Sequence, residues 1–265
     1  MKRFKLTVAY DGTNYCGWQV QNNGKTIEGE LNRCLSELLK EEIQVIGASR
    51  TDSGVHGKGN VAVFDSETRI PGEKLSYALN QRLPKDIVIQ QSEEVDSDFH
   101  PRYCDTVKTY EYQILNRTFP DPMYRLYADF IHYPLNIEAM QKAATYLVGE
   151  HDFQSFCSAG AQVKSTVRTI YKLTVEKDQN DVIHIFVTGN GFLYNMVRII
   201  VGTLIRIGLG YGEPEDMKAI IEACDRSQAG PTAPARGLTL VEIRYGDAER
   251  KERKDMEVKE RKEIE

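Results

Sequence analysis

The stretch Gly47-Ala48-Ser49-Arg50-Thr51-Asp52-Ser53-Gly54-Val55-His56-Gly57 lies between two apolar runs, Ile43-Gln44-Val45-Ile46 and Asn60-Val61-Ala62-Val63-Phe64. Both runs are rich in β-branched residues and predict short strands. The stretch between them predicts a polar loop. Glycines at 47, 54, 57 and 59 permit turns and close approaches that a side chain forbids. The loop presents one carboxylate, Asp52, two residues from the guanidinium of Arg50. Spacing alone favours a structural ion pair in a tight turn. The same loop also suits a carboxylate held rigidly where a bulky substrate reaches it.

On the N-terminal side, Thr26 is placed to cap a helix with Glu28 and Glu30 in its first turn. Ile27, Leu31, Leu35, Leu38 and Leu39 then recur at helical spacing on one face. Before that helix, Phe4 to Tyr10 alternates as a strand does, and Asp11-Gly12-Thr13-Asn14 reads as a turn. On the C-terminal side, Pro71 opens a helix through Leu75, Ala78 and Leu79 to about Gln81, and Asp86-Ile87-Val88-Ile89 begins another strand. The order strand, helix, strand, strand, helix, strand is that of a ferredoxin-like half.

Beyond it, Val107 to Leu115 reads as a long strand with Lys108, Tyr110, Tyr112 and Ile114 on one face. Arg117 to Pro134 reads as a loop-rich insertion with several aromatics, and Asn136 caps a helix that Gly149 ends. Glu150 to Phe156 reads as helix-end structure. Thr166 to Val175 and Val182 to Thr188 form a strand pair. Met196 to Ile205 is apolar nearly all round and predicts a buried helix. Arg198 within it needs a carboxylate or phosphate partner, because a buried guanidinium without one is costly. A short helix from Glu215 to Ala223 and a strand from Leu238 to Tyr245 complete the pattern.

The chain has 265 residues and a formal net charge of -5. Residues 247–265 carry seven Lys/Arg and eight Asp/Glu, so a net charge of -4 remains on the body, and the tail hides no basic domain. That tail reads as a solvated helix or disorder. Binding of a polyanion therefore requires cations gathered locally in a cleft. The five cysteines are scattered, with no C-x-x-C pair, which supports neither a disulfide framework nor a zinc knuckle. No run approaches the roughly 20 apolar residues of a membrane span. With no h-region or cleavage site after the basic N-terminus, the expected compartment is the cytoplasm.

The string ASRTDSGVH at 48–56 resembles the catalytic motif of the tRNA pseudouridine synthase A family, usually GRTDAGVH, with Ser49 in place of Gly and Ser53 in place of Ala. YDGTNYCGWQVQ at 10–21 resembles that family's first motif. Lys108-Thr109-Tyr110-Glu111-Tyr112 resembles its KxYxY strand, and Gly149 to Phe153 its GEHDF stretch. Residues 189–202 resemble GxGFLxHMVRxIVG, with Asn195 where His is usual, and 233–245 resemble APAxGLxLxxVxY.

The resemblance runs from Phe4 to Tyr245. It implies an α+β fold of two ferredoxin-like halves, 1–104 and 105–246, forming one mixed, largely antiparallel sheet with helices on one face and a central cleft. It implies isomerisation of uridine to pseudouridine in the anticodon stem-loop of tRNA by a homodimer. Asp52 is then the nucleophile, Tyr110 lies against the target base, and Arg198 faces Asp52 and lowers its pKa. Arg50 holds phosphate, and Leu238 lines the base pocket. The reaction breaks the C1'–N1 bond and rejoins the turned uracil through C5, with no metal, redox partner or other cofactor. Asp52 attacks the sugar or the base, or removes a sugar proton; the sequence fits all three. The departures at 49, 53 and 195 keep open a different RNA target. A non-catalytic RNA-binding protein on the same scaffold is the other alternative.

Overall fold

The computed structural model of the chain describes residues 1–22, 24–160 and 163–246. The charged tail, 247–265, lies outside the described residues.

Alternation governs the first strand. In β1 (Lys2–Tyr10), Phe4, Leu6, Val8 and Tyr10 are buried, and Arg3, Lys5 and Thr7 take the opposite face. Arg3 pairs there with Asp65 at 2.7 Å and Lys5 with Glu93 at 2.6 Å. Helix α1 (Ile27–Leu39) starts as its cap requires, the Thr26 hydroxyl accepting from the Gly29 amide at 3.2 Å. Strands β2 (Ile46–Gly47) and β3 (His56–Ser66) flank the Asp52 loop, followed by α2 (Gly72–Asn80) and β4 (Ile87–Val95).

The second half runs β5 (Thr106–Asn116), β6 (Asp129–Ile131), α3 (Ile137–Thr145), β7 (Gly149–Asp152), β8 (Val167–Lys177), β9 (Val182–Gly189), α4 (Met196–Gly208), α5 (Asp216–Ala223) and β10 (Leu238–Tyr245). The ten strands of the described residues belong to one mixed sheet in the order β4-β1-β3-β10-β5-β9-β8-β7, with β2 on β3 and β6 on β5. Within it, β4-β1-β3-β2 and β10-β5-β9-β8 repeat one arrangement: fourth, first, third, second. That is the ferredoxin-like order twice over. The halves join where β10 lies parallel to β3, through Thr239 opposite His56 and Leu240 opposite Gly57.

The helices cover one face of the sheet. Under α1 and α2 a core gathers Phe4, Leu6, Trp18, Leu31, Leu35, Leu75 and Leu79. Under α3, α4 and α5 a second core gathers Tyr112, Ile114, Met140, Ile185, Val187, Ile200 and Leu204. Ala48, Val55 and Val61, which bracket Asp52, belong to the second core although β3 belongs to the first half. The opposite face of the sheet is polar. There Glu111 takes Lys58 at 3.0 Å and His184 at 2.8 Å. Among the described residues no helix is long and apolar enough to cross a membrane.

Three elements differ from the sequence reading. Ile43, Gln44 and Val45 form no strand, because Ser36 and Asn32 of α1 accept from the amides of Ile43 at 2.9 Å and Val45 at 2.8 Å. Gly149 to Asp152, expected as helix-end structure, is the edge strand β7; Gly149 turns the chain at φ +116° and the segment pairs with Val167 to Ile170. Within the 117–134 insertion, Asp129 to Ile131 forms β6 against Ile114 to Asn116.

Candidate active site

The Asp52 loop is tied down residue by residue. The amide of Ala48 donates to Val61 O at 2.7 Å, and the Asn60 side chain donates to Ser49 O at 3.0 Å. The Trp18 amide donates to Thr51 O at 3.0 Å, and the Tyr10 and Thr51 hydroxyls bond at 2.8 Å. A turn closes with the Val55 amide on Asp52 O at 3.1 Å, and Gly54 takes the left-handed conformation there, φ +77°. Gly47 lies flat beneath the Trp18 indole, where a Cβ has no room. Trp18 is fully buried, so it is a packing residue of the first core and does not face the cleft.

Against this loop stands the start of α4. Arg198 Nη1 donates to Asp52 Oδ2 at 3.2 Å, joining positions 146 residues apart. The same nitrogen donates to Asn195 Oδ1 at 3.0 Å, and Asn195 Nδ2 donates to the Ser158 hydroxyl at 2.9 Å. Asn195 has φ 60°, a left-handed conformation that asparagine tolerates better than most residues. Arg198 Nε donates to Ala233 O at 2.7 Å, and its own carbonyl accepts from the Ala233 amide at 3.1 Å. That segment docks on α4 through glycines: a Cβ on Gly202 meets Pro231 O, and the Gly230 amide donates to the Thr203 hydroxyl at 2.9 Å.

These elements enclose a cavity of about 810 Å3, the size of a small-molecule or nucleotide pocket. Its walls bring together all five residues singled out from sequence: Asp52, Arg50, Tyr110, Arg198 and Leu238. Asp52 and Arg198 keep 23% and 17% of their side chains exposed, so the pair is sheltered yet reachable. Tyr110 is buried, its ring edge-on to Phe192 at 5.2 Å between centroids and its hydroxyl bonded to Ser49 Oγ at 2.9 Å. Leu238 is buried at the first position of β10. Arg50 is exposed on the wall and does not pair with Asp52, so the ion pair that spacing favoured is replaced by one with Arg198.

Two cations complete the walls. Arg102 donates through Nε to Gly47 O at 2.6 Å. Lys108 donates to Ala48 O at 3.2 Å. The sequence signal for Lys108 was its place on the same face of β5 as Tyr110, where a lysine interrupts an otherwise apolar and aromatic row. The lining holds four cations, Arg50, Arg102, Lys108 and Arg198, against the single carboxylate of Asp52. This is the local basic cluster that a chain of net charge -5 requires.

Burial dominates the electrostatics. It raises the Asp52 carboxyl above the ordinary carboxylate range, and Arg198 only partly offsets it. The expectation that Arg198 holds that pKa down is therefore corrected: the cation acts in the expected direction, but desolvation outweighs it. Burial, with Arg102 and Arg168 nearby, lowers Lys108 to about 8. Burial lifts Tyr110 to about 12, with Ser49 opposing and Asp52 adding to the rise. Tyr110 is accordingly a neutral phenol at physiological pH. Among the described residues no group of three or more His, Cys, Asp and Glu is placed to hold a metal ion.

A ferredoxin-like pair of halves with a lone, arginine-paired aspartate in a cation-lined cavity at their seam has a clear counterpart among known families. The chain matches the tRNA pseudouridine synthase family over residues 6–104 and 143–246 and belongs to it. It is similar to the tRNA pseudouridine synthase A of Brevibacillus brevis, 50% identical over 245 residues that span 92% of this chain and 100% of that protein. The protein of the same name from a Thermoanaerobacter species is 51% identical over the same shares, and that of Ruminiclostridium cellulolyticum 50%.

Proposed function

We propose that this protein is an isomerase that converts uridine to pseudouridine in the anticodon stem-loop of tRNA, with Asp52 as its nucleophile. The observation that carries the reading is the Asp52–Arg198 pair at 3.2 Å inside a cavity whose other charged lining residues are all cations. The target nucleotide must leave its stack to reach such a recessed carboxylate. Arg50, on the exposed rim, holds a backbone phosphate, and Arg102 and Lys108 extend that positive wall. Tyr110 lies against the detached uracil and Leu238 closes the apolar side of its pocket.

The ionised form of Asp52 does the work, and Arg198 favours that form against burial. The C1'–N1 bond breaks, the uracil turns, the C1'–C5 bond forms, and the proton at C5 is exchanged for one at N1. Atoms and electrons balance within the nucleotide, so the reaction calls for no cofactor. The neutral phenol of Tyr110 suits hydrogen bonding and stacking with the uracil better than abstraction of its proton.

The same reading takes residues 1–104 and 105–246 as the two structural halves, the cytoplasm as the place of work, and a homodimer as the working form. The 117–134 insertion offers a partner copy the exposed side chains of Phe119, Met123 and Tyr133, 74%, 78% and 60% accessible. The test of the function is to map pseudouridine in tRNA treated with wild type or with Asp52→Asn. New pseudouridines in the anticodon stem-loop with wild type, and none with the variant at equal tRNA binding, is the expected result. Full modification by the variant removes Asp52 from the chemistry, and modification confined to other RNA sites removes the substrate assignment.

A further inference from the structure

Ser49 has no part in the roles so far assigned, yet it is the best-placed polar neighbour of Tyr110. Its Oγ lies 2.9 Å from the Tyr110 hydroxyl, and both residues are buried, at 8% and 7% exposure. Among the described residues this is the Tyr110 hydroxyl's one protein hydrogen bond. The backbone of Ser49 is itself fixed, its carbonyl accepting from Asn60 Nδ2 at 3.0 Å. Phe192 meets the Tyr110 ring edge-on at 5.2 Å. The ring is thus held at its edge by one side chain and at its hydroxyl by another. Ser49 stands three residues before Asp52 on the same tethered loop, so one segment carries the carboxylate and the group that sets the tyrosine.

We propose that Ser49 is a positioning residue for the pseudouridine reaction, its hydroxyl fixing the Tyr110 ring against the target uracil in register with Asp52. The inference rests on the reading of Tyr110 as the residue that meets the base. A glycine or alanine at 49 leaves the phenol without this partner in a buried site, and the ring is then free to turn about its side-chain torsions. Ser49 lines the same cavity, but its hydroxyl is engaged by Tyr110, so its effect passes through Tyr110 and falls on the turnover step more than on binding of the RNA as a whole.

The test is a double-mutant cycle of Ser49→Ala and Tyr110→Phe, with tRNA pseudouridylation followed in single and multiple turnover. Ser49→Ala is expected to lower kcat about threefold to tenfold, the range one neutral hydrogen bond carries, with KM nearly unchanged. In the Tyr110→Phe background, which lacks the hydroxyl, the same substitution is expected to have no further effect. Ser49→Thr, which restores a hydroxyl, is expected to recover most of the rate. An equal loss from Ser49→Ala in both backgrounds assigns Ser49 to the fold of the loop and overturns the proposal. So does the absence of any loss while Tyr110→Phe is impaired. Full activity of Tyr110→Phe also overturns the proposal, because the ring then needs no bond at its hydroxyl; full activity of Tyr110→Ala, which removes the ring, is the separate result that fails the reading of Tyr110 as the residue that meets the base.

Discussion

Burial shifts Asp52 toward its protonated form, although the proposed chemistry uses the anion. Burial raises its folded pKa above the value of about 3.9 expected in the unfolded chain. The folded state therefore binds the proton more tightly, so the contribution of Asp52 to stability is full below the unfolded pKa. It declines as pH rises through the folded pKa. The stability of wild type relative to Asp52→Asn should fall as pH rises from about 4, as paired melting curves at several pH values will show. The same variant should lose on the order of 10^4-fold or more in rate, as enzymes deprived of a nucleophile do. Arg198→Leu removes the opposing cation and raises the Asp52 pKa further. Its kcat/KM profile should rise at a higher pH than that of wild type and reach a plateau roughly 10^2-fold lower. Arg198→Lys should restore the position of the rise but only part of the plateau, since an ammonium lacks the planar fork that reaches Asp52, Asn195 and Ala233 together. Much of this site was legible in the sequence. An arginine on an apolar helix demands an anion, and the loop motif supplied one. The balance at Asp52 was not legible, because desolvation depends on how the whole fold buries the carboxylate and not on its neighbours in sequence. The Ser49–Tyr110 bond was not legible either, because it joins residues 61 apart that only the sheet brings together.

Helix α4 must approach the 230–233 segment closely for Arg198 to gain both of its bonds to Ala233. Gly202 and Gly230 allow the two backbones to meet, and Gly202→Ala places a methyl against Pro231 O. The expected loss of stability is about 1–3 kcal/mol, as for other overpacked contacts, measurable by denaturant unfolding. Activity at temperatures where the variant remains folded should also fall, because the segment that shifts is the one that orients Arg198. A variant as stable and active as wild type overturns this account of the docking. At this scale the sequence was most readable where one face of an element is buried. The alternation of β1 and the spacing of α1 both appear as expected. It was least readable where side chains of a neighbour replace a ladder, as Ser36 and Asn32 do for Ile43 and Val45. The polar edge strand β7 was hidden for a related reason: Glu150, His151 and Asp152 pair through backbone alone and show no apolar period.

The molecule as a whole is acidic and its cleft is not. Binding of tRNA should therefore weaken with salt although bulk charge opposes it. Arg50, Arg102 and Lys108, each neutralising one phosphate, give a slope of roughly -3 in log K against log salt. Filter binding between low and physiological salt measures it, and a flat line contradicts the cleft as the RNA site. Because Lys108 titrates at about 8, wild-type affinity should also decline as pH rises past that value, while Lys108→Arg keeps its charge and loses the decline. The arrangement of the sheet carries a different kind of consequence. Among the described residues β10 is the last of ten strands, yet it lies at the centre, between β3 and β5. On a translating ribosome the loop bearing Asp52 emerges early and α4 much later, and the strand that stitches the halves comes last. A nascent chain thus has an incomplete cleft until β10 slots into the middle. Ribosome-bound chains halted before Leu238 should contain both Asp52 and Arg198 and modify no tRNA, whereas chains released past Tyr245 should begin at once.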